Sequence, residues 1–163
     1  MLACANTATI SGLESSTVRV EVDLSRGKPQ LIIIGLATQA VSESKERITS
    51  ALLNCGIIPK AKRTVVNLAP ADIKKSGTGF DLAITIAMLK AYTVIGYDIS
   101  HTLFFGELSL DGSIKKVRGI VPLLLHAKKI GCTKVVIPKD NEIEISIIEG
   151  ITVYAISHLK DLL

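Results

Sequence analysis

One turn in this chain carries the residue types from which phosphate-binding and nucleophile loops are built. It reads Lys74-Lys75-Ser76-Gly77-Thr78-Gly79 and lies between a short apolar strand, which must end at Pro70, and an apolar helix that begins at Asp81. Glycine allows backbone angles and close approaches that other residues do not, and lysines and hydroxyls can bind phosphate or act in nucleophilic chemistry. The sequence therefore predicts a candidate site between a strand end and a helix start.

Two nucleotide-binding motifs are missing from the sequence. A P-loop requires the order G-x-x-x-x-G-K-[ST], and the residues of the turn stand in a different order. The segment Gly35-Leu36-Ala37 does not match the dinucleotide fingerprint G-x-G-x-x-G either. We therefore expect neither an ATPase site nor a cofactor-binding site within this chain.

The histidines and cysteines are too scattered to suggest a metal site. No C-x₂-C or H-x₃-H spacing occurs, and each residue stands alone: His101, His126, His158, Cys4, Cys55 and Cys132. An odd number of widely spaced cysteines is typical of reduced thiols in a cytosolic protein. We expect no metal, no disulfide and a cytoplasmic location. Glu107 is the one carboxylate that its local context does not explain, and a buried hydrogen-bonding role is predicted for it.

Three basic clusters lie at strand ends or turns and are the candidate sites for DNA. Their members are Lys60, Lys62, Arg63, Lys74, Lys75, Lys115, Lys116 and Arg118. If the fold gathers them at one rim, they form a patch that grips phosphates without reading sequence. No aromatic residues are interleaved, so base stacking is not indicated. The alternative is three separate solvated turns that serve solubility.

Composition limits the class of protein. The chain has 163 residues, which suits one domain, with 48% hydrophobic and 4% aromatic residues and a net charge of +4. The core must therefore consist of aliphatic residues. The apolar runs are too short for a membrane span, and the first residues lack the basic and apolar segments of a signal peptide.

Hydrophobic periodicity predicts alternating strands and helices in the first half of the chain. Thr17–Leu24 alternates as a strand with one wet face, and Leu31–Ile34 is continuously apolar, which predicts a strand buried on both faces. One amphipathic helix is predicted over Thr38–Cys55, with Glu43 and Arg47 paired on its exposed face. The Val65–Leu68 strand follows.

The second half of the chain continues this alternation. A helix over residues 81–92, apolar on nearly every side, is predicted with the Asp81 carboxylate as its cap, and Asp111-Gly112 predicts a two-residue hairpin turn. The further predicted elements are strands around Phe104–Leu110 and Ile114–Val117, a helix over Gly119–Ile130, a strand at Val135–Ile137, a helix at Glu142–Ile148, a strand at Val153–Ile156 and a last helical turn over Ser157–Leu163. Strands and helices in this order predict an α+β fold with a mixed sheet.

Three segments resemble one protein family closely. They are VSESKERITSALLNCG, NLAPADIKKSGTGFDLAI and GELSLDGSIKKVRGIVPLLLHAKKIG, and with their flanks they cover nearly the whole chain. In order and spacing they resemble the amino-terminal domain of the ComM/YifB family of Mg-chelatase-like AAA+ ATPases. The resemblance implies a ribosomal protein S5 domain 2-like, two-layer fold over residues 1–163, with the ATPase module carboxy-terminal to residue 163.

The same resemblance implies a function for the parent protein. It would be a hexameric ATPase that uses ATP and Mg²⁺ as a DNA helicase in branch migration during recombination and natural transformation. This domain would contribute ring packing against its own ATPase module and neighbouring subunits, and contact to single-stranded or branched DNA. An alternative is a protein-interaction module that has no affinity for DNA.

The segments also resemble, more distantly, the proteolytic domain of Lon, which uses a serine nucleophile and a lysine base. The resemblance puts Gly79 at the serine position and Val121 at the lysine position. Both members of the dyad are therefore expected to be lost, and this chain is expected not to be an enzyme. The remaining alternative is a divergent peptidase that uses Ser76 or Thr78 with Lys115 or Lys116.

Overall fold

The structure, a computed structural model, describes residues 2–12, 14–35, 37–145 and 148–163. The strands are β1 Leu2–Ser11, β2 Glu14–Ser25, β3 Gln30–Ile34, β4 Arg63–Ala69, β5 Thr102–Phe104, β6 Glu107–Leu108, β7 Ile114–Lys115, β8 Lys134–Pro138 and β9 Thr152–Ile156. The α-helices are α1 Gln39–Ser42, α2 Ser44–Asn54, α3 Asp81–Ala91 and α4 Ile120–Lys129, and 3₁₀ helices span Lys139–Ile145 and Leu159–Leu162. The α+β class is confirmed. Of the predicted helix at Glu142–Ile148, Ser146 and Ile147 lie outside the described residues.

Seven strands form one mixed sheet in the order β3-β4-β2-β1-β5-β8-β9. The long β1–β2 hairpin is antiparallel, and β2 pairs antiparallel with β4. The remaining neighbours are parallel, namely β3 with β4, β1 with β5, β5 with β8 and β8 with β9. The mixed sheet expected from the hairpins is therefore confirmed, and β6 and β7 form a separate small ribbon.

Two hydrophobic cores lie on opposite faces of the sheet. Along β8, Val136 belongs to the core that contains α2 and α3, whereas Val135 and Ile137 belong to the core that contains α4. This alternation follows from the two-residue period of a strand. α4 also contacts the start of β2, where the Thr17 hydroxyl lies 2.9 Å from His126 Nε2, whereas Arg19 and Asp23 further along the same face of β2 are exposed. The two-layer architecture expected for the whole sheet is thus wrong at β5 and β8, where α4 adds a third layer.

Helix α3 is a core helix, as its sequence predicts. Ten of its eleven residues are buried, Lys90 alone being half-buried. It packs across β1 and β2. A helix that is apolar all round needs cover on every side. Of the two apolar helices, only α4 keeps an exposed face, on which Leu125 is 55% exposed.

The strand β3 corrects one prediction. It lies at the edge of the sheet and pairs only with β4 among the described strands. Leu31 and Ile33 are half-buried, and Ile34 is 48% exposed. The expectation that this run is buried on both faces is therefore wrong, because an apolar edge strand with one covered face has the same sequence pattern as a central one.

The hairpin between β6 and β7 is confirmed, but its turn is longer than the predicted two residues. Leu108 pairs with Ile114, and the Ser109 amide donates to the Ser113 carbonyl across a three-residue loop. The Asp111 carboxylate accepts from the Ser113 amide at 2.9 Å, so its role as a turn former is confirmed. The hairpin carries Glu107 and Lys115 as direct partners.

The predicted helix over Thr38–Cys55 is split at Glu43 into α1 and α2. The carbonyl of Ala40 accepts a hydrogen bond at 3.4 Å from the Arg47 guanidinium, where a continuous helix would offer it the amide of Ser44. Arg47 also donates to the Ser44 hydroxyl at 3.0 Å. The expected surface pair of Glu43 with Arg47 is wrong, because Arg47 points inward.

Arg47 and Asp81 form a buried ion pair that ties α2, α3 and β6 together. Arg47 Nε lies 2.7 Å from Asp81 Oδ2 and Arg47 Nη2 lies 3.1 Å from Asp81 Oδ1. The Leu108 amide donates to Asp81 Oδ2 at 3.1 Å. Asp81 has no exposed surface, so burial raises the pKa of its carboxyl, while Arg47 opposes that shift. Asp81 is thus a buried anchor and not the predicted helix cap, since its carboxylate faces α2 and β6.

A short connection holds the candidate turn against the end of β3. Ala37 forms an isolated parallel bridge with Lys75, and the Thr38 amide donates to the Lys75 carbonyl at 3.1 Å. At its start this connection passes close to β4, which requires glycine at position 35. Its φ is +105°, and a Cβ there would lie 2.2 Å from the carbonyl oxygen of Leu68.

In the described part of the chain, no helix has the length and apolar character that a membrane crossing requires. The three cysteines, Cys4, Cys55 and Cys132, are free in the structure.

Gly35→Ala is expected to destabilise the protein by about 3 kcal/mol, because backbone strain adds to a clash with main-chain atoms that cannot move aside. The matched control is Gly56→Ala, at a φ of +78° with nothing within 4 Å, which should cost about 1 kcal/mol. Urea unfolding of both variants measures the difference. Equal losses would contradict the close approach of Gly35 to β4.

Arg47→Met is expected to cost about 3 kcal/mol in urea unfolding at neutral pH, because it leaves the Asp81 carboxylate buried without its partner. The double variant Arg47→Met/Asp81→Asn should recover part of the loss. Without Arg47 the pKa of Asp81 rises further above its unfolded value, so the folded state keeps a proton that the unfolded state releases. The loss should therefore shrink as the pH falls.

The control for this variant is Arg19→Met, which removes an exposed arginine 3.4 Å from Glu21 and should leave stability unchanged. A loss for Arg47→Met that does not depend on pH would contradict the electrostatic role of the pair.

Candidate functional site

The glycine turn forms one wall of a cavity of about 510 Å³. The facing wall is the segment that follows β7, and β1 closes the end. The lining residues are Ala8, Thr9, Ile10, Ser76, Gly77, Thr78, Gly79, Phe80, Phe105, Glu107, Lys116, Val117, Arg118 and Leu123. The cavity thus has an apolar floor and a rim of hydroxyl, cationic and carboxylate groups, which is typical of binding sites.

Position 79, where the resemblance to Lon would place the nucleophile, faces an aliphatic side chain. A Cβ added to Gly79 would lie 3.3 Å from Cγ1 of Val117. Val117 is held there by Asn141, which accepts from the Val117 amide and donates to its carbonyl, both at 2.9 Å. Any side chain at position 79 would therefore press against a residue that is fixed on both main-chain groups.

The hydroxyl groups of the turn have no basic partner among the described residues. Thr78 donates to the Glu107 carboxylate, so Glu107 has the hydrogen-bonding role predicted for it. Glu107 is half-buried rather than fully buried as predicted, because one side of the β6–β7 ribbon is open. Ser76 is exposed. Neither residue is paired with a lysine.

The candidate lysines of the second wall have other neighbours. Lys115 is exposed and lies opposite Glu107 in the ribbon. Lys116 Nζ lies 2.5 Å from a carboxylate oxygen of Glu144. Val121 is half-buried and packs against the core around α4, as an aliphatic residue should. The two candidate lysines thus each have a carboxylate neighbour, and neither forms a hydrogen bond with Ser76 or Thr78 in the described part of the chain.

Lys75 corrects the predicted DNA-binding set. Its side chain has no exposed surface and its ammonium donates to the carbonyl of Pro70. Burial lowers the pKa of Lys75, and the nearby Asp72 opposes the shift. The sequence could not reveal this, because a lysine in a polar turn is ordinarily exposed. Lys75 fixes the turn from inside and cannot contact DNA in this conformation.

The other basic candidates are exposed but do not share one rim. Lys116 and Arg118 line the cavity, and Lys74 stands two residues before Ser76 in the same turn. The cluster of Lys60, Lys62 and Arg63 lies at the other end of β4, about 20 Å away along the strand. The sequence left open whether the three clusters meet at one rim. They do not, because the length of β4 separates Lys60, Lys62 and Arg63 from the glycine turn.

Two residues of the 3₁₀ helix after β8, Asn141 and Glu144, shape the site, and the sequence did not predict them. Asn141 is fully buried and positions Val117, and it also donates to Glu144 at 3.2 Å. Glu144 in turn pairs with Lys116. The sequence around Asn141 and Glu144 is acidic, which is typical of a solvated surface, so it does not identify either residue as part of a site.

Comparison with known proteins places the chain in a family. The family described as "Subunit ChlI of Mg-chelatase" matches residues 20–141. The competence protein ComM of Haemophilus influenzae is 39% identical over 153 residues, which are 92% of this chain and 30% of that protein. YifB of Escherichia coli is 35% identical over 160 residues, 98% of this chain and 31% of that protein.

A protease is among the more distant relatives. Lon protease 1 of Bacillus subtilis is 28% identical over 161 residues, 90% of this chain and 20% of that protein. The chain thus spans less than a third of the length of each of these relatives. Since the family match covers most of its residues, this chain belongs to the Mg-chelatase ChlI family, and ComM and YifB are its relatives.

Proposed function

We propose that this chain is the non-catalytic amino-terminal domain of a Mg-chelatase-like AAA+ ATPase of the ComM type. The observation that carries the proposal is the closeness of Val117 to Gly79, the position at which the resemblance to Lon would put the nucleophile: a Cβ there would lie 3.3 Å from Cγ1 of Val117. The whole protein would act as a cytoplasmic hexameric helicase in branch migration during recombination and natural transformation. The relative named a competence protein supports this role.

The domain itself would serve ring packing and DNA contact. Its partners would be its own ATPase module, carboxy-terminal to residue 163, and neighbouring subunits. The similarity to Lon protease 1 supports assignment of the mixed sheet and its helices to the ribosomal protein S5 domain 2-like folds. Fold alone carries no activity, so the peptidase function does not follow from this similarity.

ATP and Mg²⁺ would belong to the expected ATPase module, since the glycine turn of this chain does not form a P-loop. A P-loop places its lysine and its Mg²⁺-binding hydroxyl directly after the second glycine, whereas both lysines of this turn precede its glycines. We therefore derive no step of ATP hydrolysis from the residues of this domain.

Contact with DNA would come from the exposed cations beside the cavity, Lys74, Lys116 and Arg118. They would bind phosphates without sequence readout, and the affinity would fall steeply with salt. The alternative of a protein-interaction module is favoured by the exposed apolar residues of α4, such as Leu125. The two functions differ in one measurable property, the affinity for DNA at low salt.

The variant Lys74→Gln/Lys116→Gln/Arg118→Gln is expected to bind single-stranded and forked DNA about tenfold more weakly in low salt, because it loses three phosphate contacts. The slope of log affinity against log salt should fall by about 2. The matched control, Lys60→Gln/Lys62→Gln/Arg63→Gln, removes the same charge from the far end of β4 and should change both quantities much less. A folded wild-type domain that shows no binding at low salt would favour the protein-interaction module.

The peptidase alternative is tested with a serine-reactive phosphonate probe and a casein digest. We expect no labelling and no cleavage, since Thr78 is bonded to Glu107 and no lysine contacts Ser76 among the described residues. Labelling that Ser76→Ala abolishes, together with cleavage that Lys116→Met abolishes, would overturn the non-catalytic assignment.

A further inference from the structure

The glycine turn presents main-chain donors that the protein leaves unused. Among the residues that the structure describes, no acceptor takes a hydrogen bond from the main-chain amides of Gly77, Thr78, Gly79 and Phe80. All four residues line the cavity. Backbone amides need a partner, and a run of them without a protein acceptor is suited to water or to an anion.

The facing wall supplies two cations. Arg118 lines the cavity, is exposed, and forms no ion pair with a described residue. Lys116 lines it too, but its ammonium is held 2.5 Å from Glu144. An arginine can bind two oxygens of one phosphate side by side, so Arg118 is the stronger candidate to hold such an anion.

Two carboxylates oppose an anion at this place. Glu107 lines the cavity and accepts the hydroxyl of Thr78, and Glu144 neutralises Lys116. The Lys116–Glu144 pair is solvent-exposed, with side-chain exposures of 55% and 33%. Exposed pairs of this kind are weak, so a phosphate with several charged oxygens can compete with one carboxylate for the ammonium.

We propose that this cavity binds a phosphate group, held by Arg118, by Lys116 and by the free amides of the turn, and that Glu144 competes with the phosphate for Lys116. The proposal deepens the proposed function and rests on it for the source of the phosphate, a DNA backbone. The volume of about 510 Å³ also accommodates a phosphate together with its sugar, so a free nucleotide has the same chemistry.

The test is a titration of the chain with pyrophosphate. Calorimetry measures the affinity, and the NMR amide signals of Gly77 and Gly79 report whether the turn takes part. Glu144→Gln should bind about two- to fivefold more tightly, because Lys116 is released while the amide oxygen still serves Asn141. Arg118→Gln should bind about tenfold more weakly. A gain in affinity is informative here, because misfolding cannot produce it.

The matched control is Glu142→Gln, which removes the same charge from the same 3₁₀ helix. Glu142 pairs with Lys139 at 2.7 Å, outside the cavity, so its loss should leave pyrophosphate affinity within about 1.5-fold of wild type. Equal gains for Glu144→Gln and Glu142→Gln would mean a general charge effect and would overturn the site. Pyrophosphate binding that leaves the Gly77 and Gly79 signals unshifted would also overturn it.

Two further ligands identify the source of the phosphate and separate this inference from the proposed function. If a short single-stranded oligonucleotide competes with pyrophosphate, and if it binds Glu144→Gln more tightly than wild type, the site binds a DNA backbone. If thymidine 5′-monophosphate competes and the oligonucleotide does not, the phosphate site stands and the DNA contact fails. If DNA binds without any effect of Arg118→Gln or Glu144→Gln, the DNA contact stands and the site in this cavity fails.

Discussion

The buried ion pair of Arg47 with Asp81 is the constraint on which the arrangement of the site depends. It joins the start of α3, the middle of α2 and the first amide after Glu107 in one hydrogen-bonded group. A charge without exposed surface is tolerated only when its partners are in place, so the three elements must assemble together. The glycine turn enters α3 at this point, and the β6–β7 ribbon leaves from it. The two walls of the cavity are therefore positioned by one interaction.

A second buried polar residue determines what that cavity can do. Asn141 satisfies both main-chain groups of Val117 and so keeps an aliphatic side chain beside Gly79. Serine or lysine chemistry needs open space and a close base at this place, whereas ligand binding needs only accessible donors. The cavity is thus suited to ligand binding, and the charges around it decide which ligand it accepts.

Much of the fold could be predicted from local pattern. The alternation in β2, the apolar character of α3 and the glycine that ends α2 each depend on neighbours in the chain, and the structure agrees with all three. The errors share one cause. The edge position of β3, the inward turn of Arg47 and the burial of Lys75 depend on which distant segment lies against each residue, and a single sequence does not encode that in a local period.

The sequence by itself determined the class of fold, the family and the absence of a P-loop motif from this chain, because these depend on residue identity and spacing. Only the tertiary structure decided which basic residues share a surface. Lys75 turns inward, Lys60, Lys62 and Arg63 lie at the far end of β4, and Lys116 pairs with a glutamate from a distant segment. The physical reason is that charge acts through space, over distances that chain order does not specify.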